Sequence, residues 1–190
     1  MRIGIFGGTF DPPHVGHVLA ASDAIDALAL DRVVFIPAAE QPLKAGATVA
    51  SAGDRLAMLE AAIHGDPRLA ADPIEIERGG LSFTVDTLRA LRERWREDRA
   101  LALFLLLGAD VAATLPKWRE PEAVATLAEI VCLTRAGGSE GPPTAGRAIA
   151  TRRVDVASTE IRARVRAGRS IRGFVPDAVA AYIAERRLYR

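Results

Sequence analysis

Two kinds of hydrophobic pattern follow one another along this chain. Short, continuous apolar runs predict strands that are buried on both faces. Between them, apolar residues recur every three or four positions, as on the buried side of a helix. We therefore expect an α/β fold with a doubly wound parallel sheet. The predicted strands cover residues 3–6, 32–36, a segment around Ile74 and Ile76, 102–107 and 130–134, and the predicted helices cover 15–28, 53–64, 84–95, 159–167 and 177–187.

The composition indicates a globular protein without a membrane span, but it does not indicate a particular reaction. At 190 residues, with 49% hydrophobic and 26% charged residues, the chain fits one globular domain spanning 1–190. No run reaches the roughly 20 apolar residues of a membrane span, and the start lacks a signal-peptide pattern. The single cysteine, Cys132, lies in an apolar run and is expected to be a buried thiol. We expect a cytoplasmic protein without a membrane partner.

The opening segment carries the strongest chemical signal. Residues 7–17 read Gly-Gly-Thr-Phe-Asp-Pro-Pro-His-Val-Gly-His, directly after an apolar strand. Glycines let a ligand approach the backbone, and a helix with Asp11 as its N-cap would place His14 and His17 on one face of its first turn. That face lies beside free N–H groups at the positive end of the helix dipole, where phosphate is stabilised.

Other phosphate and metal motifs fit this segment poorly. The chain has two lysines, Lys44 and Lys117, and neither has Walker A spacing; the G-x-G-x-x-G fingerprint is absent as well. Two histidines are too few for a zinc site, because the third, His64, lies in another segment. A glycine turn with two surface histidines remains the alternative to a phosphate site.

A second candidate phosphate site lies near the other end of the chain. Ser158 or Thr159 can cap a helix that also carries Arg162, and hydroxyls, N–H groups and a guanidinium can hold polyphosphate oxygens. A plain N-cap with surface arginines is the alternative. Residues 151–190 hold ten arginines and four acids, but few aromatic residues interleave them, so we expect no nucleic-acid partner.

The opening segment resembles the signature of bacterial nicotinate-nucleotide adenylyltransferases, which belong to the H-x-G-H nucleotidyltransferase superfamily. Further resemblances follow in order along nearly the whole chain, and this collinearity is more specific than any one motif. Three positions depart from the family pattern: Leu43 replaces a histidine, Phe83 a tyrosine and Ala157 a serine. The matching segments are residues 41–44, 82–88, 107–110, 115–118, Arg135 and 158–162.

This resemblance implies a Rossmann-like fold with a small C-terminal helical portion, and transfer of the adenylyl group of ATP to nicotinate mononucleotide. The products would be deamido-NAD and pyrophosphate, and Mg²⁺ would enter with ATP rather than on a protein metal site. His14 and His17 would be the catalytic residues. Implied ATP-binding residues are Gly7, Gly8, Thr9, Phe10, Gly108, Asp110, Ser158, Thr159 and Arg162, and implied nicotinate-nucleotide-binding residues are Lys44, Ser82, Phe83, Thr84, Trp118 and Arg135.

Several alternatives stay open at this point. Within the same reaction class, the acceptor could be nicotinamide mononucleotide or phosphopantetheine, although the latter would not explain residues 82–88 or 115–118. Trp118 could stack on a pyridine ring or belong to the core. A non-catalytic sensor that binds ATP is a different class of function. The sequence does not decide whether the chain forms a homo-oligomer.

Overall fold

The computed structural model describes residues 1–42, 48–135 and 146–190, and these ranges contain six strands and eight α-helices. The strands are β1 (Arg2–Gly8), β2 (Arg32–Pro37), β3 (Leu69–Ala71), β4 (Ala102–Gly108), β5 (Glu129–Arg135) and β6 (Arg147–Thr151). The helices are α1 (Val15–Leu28), α2 (Ala52–Ile63), α3 (Ile74–Arg78), α4 (Thr84–Arg94), α5 (Ala109–Ala112), α6 (Pro121–Leu127), α7 (Ser158–Arg166) and α8 (Asp177–Glu185), with a 3₁₀ turn at Leu115–Lys117.

The strands form one parallel sheet in the order β3-β2-β1-β4-β5-β6. Strand order reverses between β1 and β4, and in such sheets ligands bind beyond the carboxyl ends of the strands at this point. Ile5 pairs with Leu105, and each strand ends three residues later, at Gly8 and Gly108. The loops that follow these two glycines therefore begin side by side.

Two hydrophobic cores cover the two faces of the sheet. Successive residues of a strand point to opposite faces, so Val33 and Phe35 enter one core while Val34 and Ile36 enter the other. Helices α1, α2, α7 and α8 pack on the first face, and α4 and α6 on the second. This arrangement explains the continuous apolar strands and confirms the predicted doubly wound sheet.

The expected strand around Ile74 and Ile76 is wrong, because these residues form the short helix α3. Two isoleucines separated by a glutamate fit one helical turn as well as a strand, and here the side chain of Glu75 is buried and accepts a hydrogen bond from Thr87 Oγ1 at 2.6 Å. The sheet is completed by β3, and this strand, β6 and α6 were not predicted. β3 has only three residues, two of them alanines, so it carries little strand signal.

The C-terminal helical portion lies where the sequence predicts it. Helix α7 ends just before Gly168, whose φ of +64° lies in the left-handed region that favours glycine. Its buried Ile161 joins the first core, as do Val179 and Ile183 of α8. The thiol of Cys132 is buried, as expected. Across the described ranges, none of the helices has both the length and the apolar character needed to span a bilayer.

Candidate active site

The loop Thr9–His14, called the β1–α1 loop below, leaves the sheet at its point of reversal. A side chain on Gly7 would meet no other atom within 4 Å, so its backbone faces open space. At Gly8, by contrast, a Cβ would lie 2.8 Å from the Phe10 ring, which folds back over the strand end. Phe10 is buried and has a φ of +51°. The two glycines thus have different roles, one leaving room for a ligand and the other for Phe10.

His14 and His17 form a compact pair at the start of α1. Their rings stack with centroids 3.7 Å apart, and the backbone N–H of His14 donates to Nδ1 of His17 at 3.1 Å. A Cβ at Gly16 would lie 3.0 Å from the His14 ring, which explains the glycine between the histidines. Because Nδ1 of His17 is an acceptor, neutral His17 carries its proton on Nε2 and can donate it to an anion.

The surroundings of His17 also favour its neutral form. Burial lowers its pKa well below the usual value of 6.5, and the electrostatic effect of the neighbouring His14 lowers that pKa further. Phe10 contacts its ring edge-on at a centroid distance of 5.1 Å, and Phe6 lies at 6.1 Å. His17 is therefore a neutral hydrogen-bond donor at pH 7.

The start of α1 differs from the sequence expectation in three ways. His14 is the N-cap residue rather than a member of the first turn. Asp11 is not the cap, because it lies three residues earlier and is buried. The Val15 N–H is not free for a ligand, since it donates to the Phe174 carbonyl at 3.0 Å. The imidazoles, rather than that first helical amide, are the donors that this turn offers to an anion.

Helix α7 brings the C-terminal candidate residues onto the β1–α1 loop. Ser158 Oγ donates to the Pro12 carbonyl at 2.8 Å, and the Arg162 guanidinium donates to the Asp11 carbonyl at 2.7 Å. The N-cap is Ala157, so neither Ser158 nor its exposed neighbour Thr159 caps the helix. Two segments that lie some 150 positions apart in the chain therefore meet at one place.

The loop after β4 adds Gly108 and Asp110 to the same edge of the sheet. Asp110 is exposed in the first turn of α5, and a Cβ at Gly108 would lie 3.0 Å from its carboxylate. The carboxylate thus lies over the backbone at the end of β4, in the strand next to β1.

Of the candidate residues for the second substrate, Phe83 and Trp118 pack against the core on the other face of the sheet. Ser82 is fixed to the segment after β2, because its N–H donates to the Glu40 carbonyl and its Oγ accepts from the Ala39 N–H. Phe83 is the N-cap of α4, and Thr84 is its first residue. The Trp118 ring is partly buried against the second core. It is therefore a core residue with an exposed portion, between the two alternatives that the sequence left open.

Ion pairs join α4 to the segment that carries Trp118. Arg119 lies 3.4 Å from Asp86, and its guanidinium stacks over Phe83 at 4.9 Å. The Trp118 indole N–H donates to Thr114 Oγ1 at 2.9 Å, which fixes the plane of its ring. These contacts connect Phe83 and α4 with the segment that carries Trp118.

Solved structures of other proteins share this fold. A Plasmodium falciparum nicotinic acid mononucleotide adenylyltransferase, solved in complex with NaAD, has a TM-score of 0.78 over 99% of this chain and 97% of its own, at 18% identity. That likeness shows the fold. Residues 5–164 match the cytidylyltransferase-like family.

Relatives of higher identity extend the match to the whole chain. A protein of Gemmatimonas aurantiaca is 54% identical, over 100% of this chain and 93% of its own. A Thermus thermophilus protein is 44% identical over 100% of both chains. Both are named "Probable nicotinate-nucleotide adenylyltransferase".

The chain belongs to the nicotinate-nucleotide adenylyltransferase family. This confirms the resemblance drawn from the motifs. The cytidylyltransferase-like match begins within β1 and ends within α7, two residues after Arg162. It therefore contains the two segments that meet at the β1–α1 loop.

The described geometry does not include the side chains of two implied nicotinate-nucleotide-binding residues, Lys44 and Arg135. Lys44 lies outside the described residues. Arg135 is the last residue of β5, where its backbone pairs with Thr151. This position is at the carboxyl edge of the sheet, as for the loops after β1 and β4.

Three buried polar residues of this family member were missed as site residues: Asp11, Arg55 and Tyr189. Tyr189 Oη donates to Asp11 Oδ1 at 2.7 Å, and Arg55 donates to the Thr9 carbonyl at 2.8 Å. The sequence carried one signal for this cluster, because Arg55 lies on the apolar side of α2 with Met58 and Leu59. Tyr189, near the other end of the chain, carried none.

Proposed function

We propose that this protein transfers the adenylyl group of ATP to nicotinate mononucleotide, giving deamido-NAD and pyrophosphate. The observation that carries the proposal is the meeting of the histidine-bearing β1–α1 loop with Ser158 and Arg162 of α7 at the point where strand order reverses. Whole-length identity of 44–54% to relatives of that name supports the choice of reaction.

In the proposed reaction, a phosphate oxygen of nicotinate mononucleotide attacks the α-phosphorus of ATP. The new P–O bond forms as the bond from the α-phosphorus to the bridging oxygen breaks, and pyrophosphate leaves. The second pKa of a phosphate monoester is about 6, so the nucleophile is already ionised at pH 7. No general base is needed, and catalysis consists of positioning and charge stabilisation.

His17 is suited to stabilising the charge that develops in the reaction. Its Nδ1 accepts the His14 N–H, so Nε2 donates, and its lowered pKa keeps it neutral before ATP binds. We assign the donor roles to His14 and His17, toward the α- and β-phosphate oxygens where negative charge grows as pyrophosphate departs.

The other assignments divide the candidate residues between an ATP side and a nicotinate side. The open backbone at Gly7 and the loop after β4 form the ATP side together with the start of α7. The remaining ATP contacts are assigned to Gly8, Thr9, Phe10, Gly108, Asp110, Ser158, Thr159 and Arg162. The nicotinate nucleotide is assigned to Lys44, Ser82, Phe83, Thr84, Trp118 and Arg135, with its carboxylate at the start of α4.

Mg²⁺ is proposed to enter with ATP, held mainly by phosphate oxygens and water. Residues 1–42, 48–135 and 146–190 contain no group of three His, Cys, Asp or Glu side chains arranged to hold a metal ion. Asp110 is the acid of the proposed ATP side that is exposed toward solvent. It fits a single carboxylate contact to an ion that the nucleotide carries, which would offset charge on the phosphates.

Pyrophosphate release tests this proposal directly. We expect release from ATP with nicotinate mononucleotide, and slower release with nicotinamide mononucleotide or phosphopantetheine in separate assays. Activity with phosphopantetheine alone would replace the proposed acceptor. ATP binding without pyrophosphate release from any acceptor would indicate a sensor. The proposed setting is the cytoplasm, where the single thiol of Cys132 would stay reduced.

A further inference from the structure

Asp11, Arg55 and Tyr189 form a buried polar cluster behind the β1–α1 loop. Their side chains are 3%, 1% and 5% exposed, respectively. Besides the bond from Tyr189, the Asp11 carboxylate accepts the N–H groups of Val49 at 2.8 Å and Ala50 at 3.2 Å. Burying a carboxylate and a guanidinium costs free energy that good geometry only partly offsets, and apolar residues of similar volume often serve stability as well. Stability of the fold alone therefore does not explain why these three polar residues are buried together.

Arg55 connects the loops that follow two neighbouring strands. Its guanidinium donates to the Thr9 carbonyl after β1 at 2.8 Å and to the Ala39 carbonyl after β2 at 3.3 Å. Burial lowers the pKa of Arg55, and the nearby Asp11 carboxylate opposes that shift. The N–H of the same Ala39 donates to Ser82 Oγ at 2.9 Å, so Arg55 lies between the proposed ATP side and the proposed nicotinate side.

The cluster holds the β1–α1 loop on both sides of its least favourable residue. Phe10 has a φ of +51°, which is rare for a bulky side chain and persists only where surrounding contacts enforce it. Arg55 holds the Thr9 carbonyl before it, and the Asp11 carboxylate is held after it. The Phe10 ring, in turn, packs edge-on against His17.

From these contacts we infer that Arg55 and Tyr189 are positioning residues for the proposed adenylyl transfer. Through Thr9 and Asp11 they hold the β1–α1 loop in the conformation that orients His17. Both residues are buried behind the loop and are not proposed to touch substrate. The inference rests on the proposed function for its kinetic consequence, but the orientation of His17 can be measured without any reaction.

Tyr189→Phe is the sharpest test, because it removes one hydroxyl and keeps the buried ring. Tyr182→Phe is the matched control. Tyr182 also lies near the C-terminus. Its hydroxyl donates to Oδ1 of Asp54 in α2 at 3.0 Å rather than to a residue of the β1–α1 loop. A small misplacement of catalytic groups can lower a rate by up to about 10²-fold. We expect kcat to fall about tenfold in Tyr189→Phe with KM for nicotinate mononucleotide little changed, and kcat of Tyr182→Phe to match the parent protein.

A spectroscopic measurement separates positioning from stability. Nitrogen-15 NMR of the histidine rings reports which nitrogen carries the proton. We expect one Nε2–H form for His17 in the parent protein and in Tyr182→Phe, and a mixture or a shifted Nδ1 signal in folded Tyr189→Phe. A purely structural hydroxyl would lower the melting temperature without changing this signal.

The outcomes are distinguishable. A folded Tyr189→Phe with unchanged kcat and an unchanged His17 signal overturns the inference. If the parent protein releases no pyrophosphate with any acceptor, the proposed function fails, while the NMR comparison still decides the positioning role. If Tyr189→Phe does not fold, Arg55→Lys takes its place, because it keeps the charge but loses the planar fork that reaches two carbonyls. Parent-like kcat in Arg55→Lys would likewise overturn the inference.

Discussion

The two regions proposed to bind the two substrates are held together in different ways. On the proposed ATP side, the β1–α1 loop is fixed by polar groups that are almost fully buried, such as Asp11 at 3% exposure. On the proposed nicotinate side, α4 is joined to the 115–120 segment by exposed ion pairs. Arg89 and Glu120 lie 2.6 Å apart, but their side chains are 48% and 42% exposed.

This difference matches what each side is proposed to do. Hydrogen bonds to buried charged groups are strong and costly to break, whereas exposed ion pairs contribute little and are screened by salt. Charge develops on the phosphates, so the groups that stabilise it must be fixed before the reaction begins. Recognition of the nicotinate nucleotide requires a surface that fits the pyridine ring and one contact to the carboxylate of that ring. Groups held by weaker, exposed ion pairs can supply both.

The largest expected effect concerns His17. In His17→Asn we expect kcat to fall by about 10²–10³, the scale for losing one donor to developing charge. His64→Asn, an exposed position at the end of α2, is the control and should keep parent kcat. Pyrophosphate release at saturating ATP and nicotinate mononucleotide measures both. Parent-like turnover in His17→Asn would remove His17 from catalysis.

The next effect concerns the buried cluster and the stability of the whole fold. Asp11→Ala leaves the Tyr189 hydroxyl and the Ala50 N–H without their acceptor and Arg55 without its nearby carboxylate. We expect the free energy of unfolding to fall by about 3 kcal/mol, the scale for breaking a buried charged group from its partners. Urea denaturation followed by circular dichroism measures this change. The exposed Asp155→Ala should leave the midpoint nearly unchanged, and equal effects of the two variants would contradict the assignment.

Substitution of Arg162 tests ATP binding on the proposed ATP side. Its guanidinium reaches from the second turn of α7 and donates to the Asp11 carbonyl. We expect Arg162→Ala to raise the Kd for ATP about tenfold, as for loss of one charge-assisted hydrogen bond. Calorimetry with a non-hydrolysable ATP analogue measures Kd directly. Arg166→Ala, one turn further along α7 and exposed, should bind as the parent does. If Arg162→Ala also binds normally, the basic end of the chain is only a surface.

A pH titration of stability tests the environment of His17. Its pKa is lowered in the folded state, first by burial and then by His14, so the unfolded chain binds more protons as pH falls through 6.5. The contribution of His17 to stability is therefore present above pH 6.5 and decreases below it, by about 1 kcal/mol between pH 6.5 and 5.5. Denaturation curves of the parent protein and His17→Asn at several pH values isolate this contribution. Identical pH dependence in the two proteins would show that His17 titrates normally.

The smallest effect is expected on the nicotinate side. Arg89→Ala removes an exposed ion pair between α4 and Glu120, and we expect KM for nicotinate mononucleotide to change by less than about threefold. The change should disappear at high salt, because exposed charges are screened. Steady-state kinetics at two ionic strengths measures it. A tenfold, salt-independent rise in KM would mean that this side is as rigidly held as the ATP side.

Local patterns explain which parts of the fold were predictable. The strands with continuous apolar runs and the helices with an apolar side could be found because each had enough residues to show its spacing. β3 was too short, and the two isoleucines of α3 are spaced as in a strand. Asp11, expected as the N-cap of α1, is instead a buried carboxylate. A buried carboxylate and a capping carboxylate look alike in sequence, because both follow a strand and precede a helix.

By itself, the sequence determined the fold class, the family and the candidate residues of the site. Spacing and motif order reside in local segments and therefore survive without coordinates. Tertiary structure decided what those residues contact. Tyr189 reaches Asp11 across 178 positions, and Ser158 reaches Pro12 across 146. Such pairs leave no periodic signal in the chain. The structure also decided that His17 is a neutral donor, because its pKa and its tautomer depend on rings and an N–H group that only the folded chain brings against it.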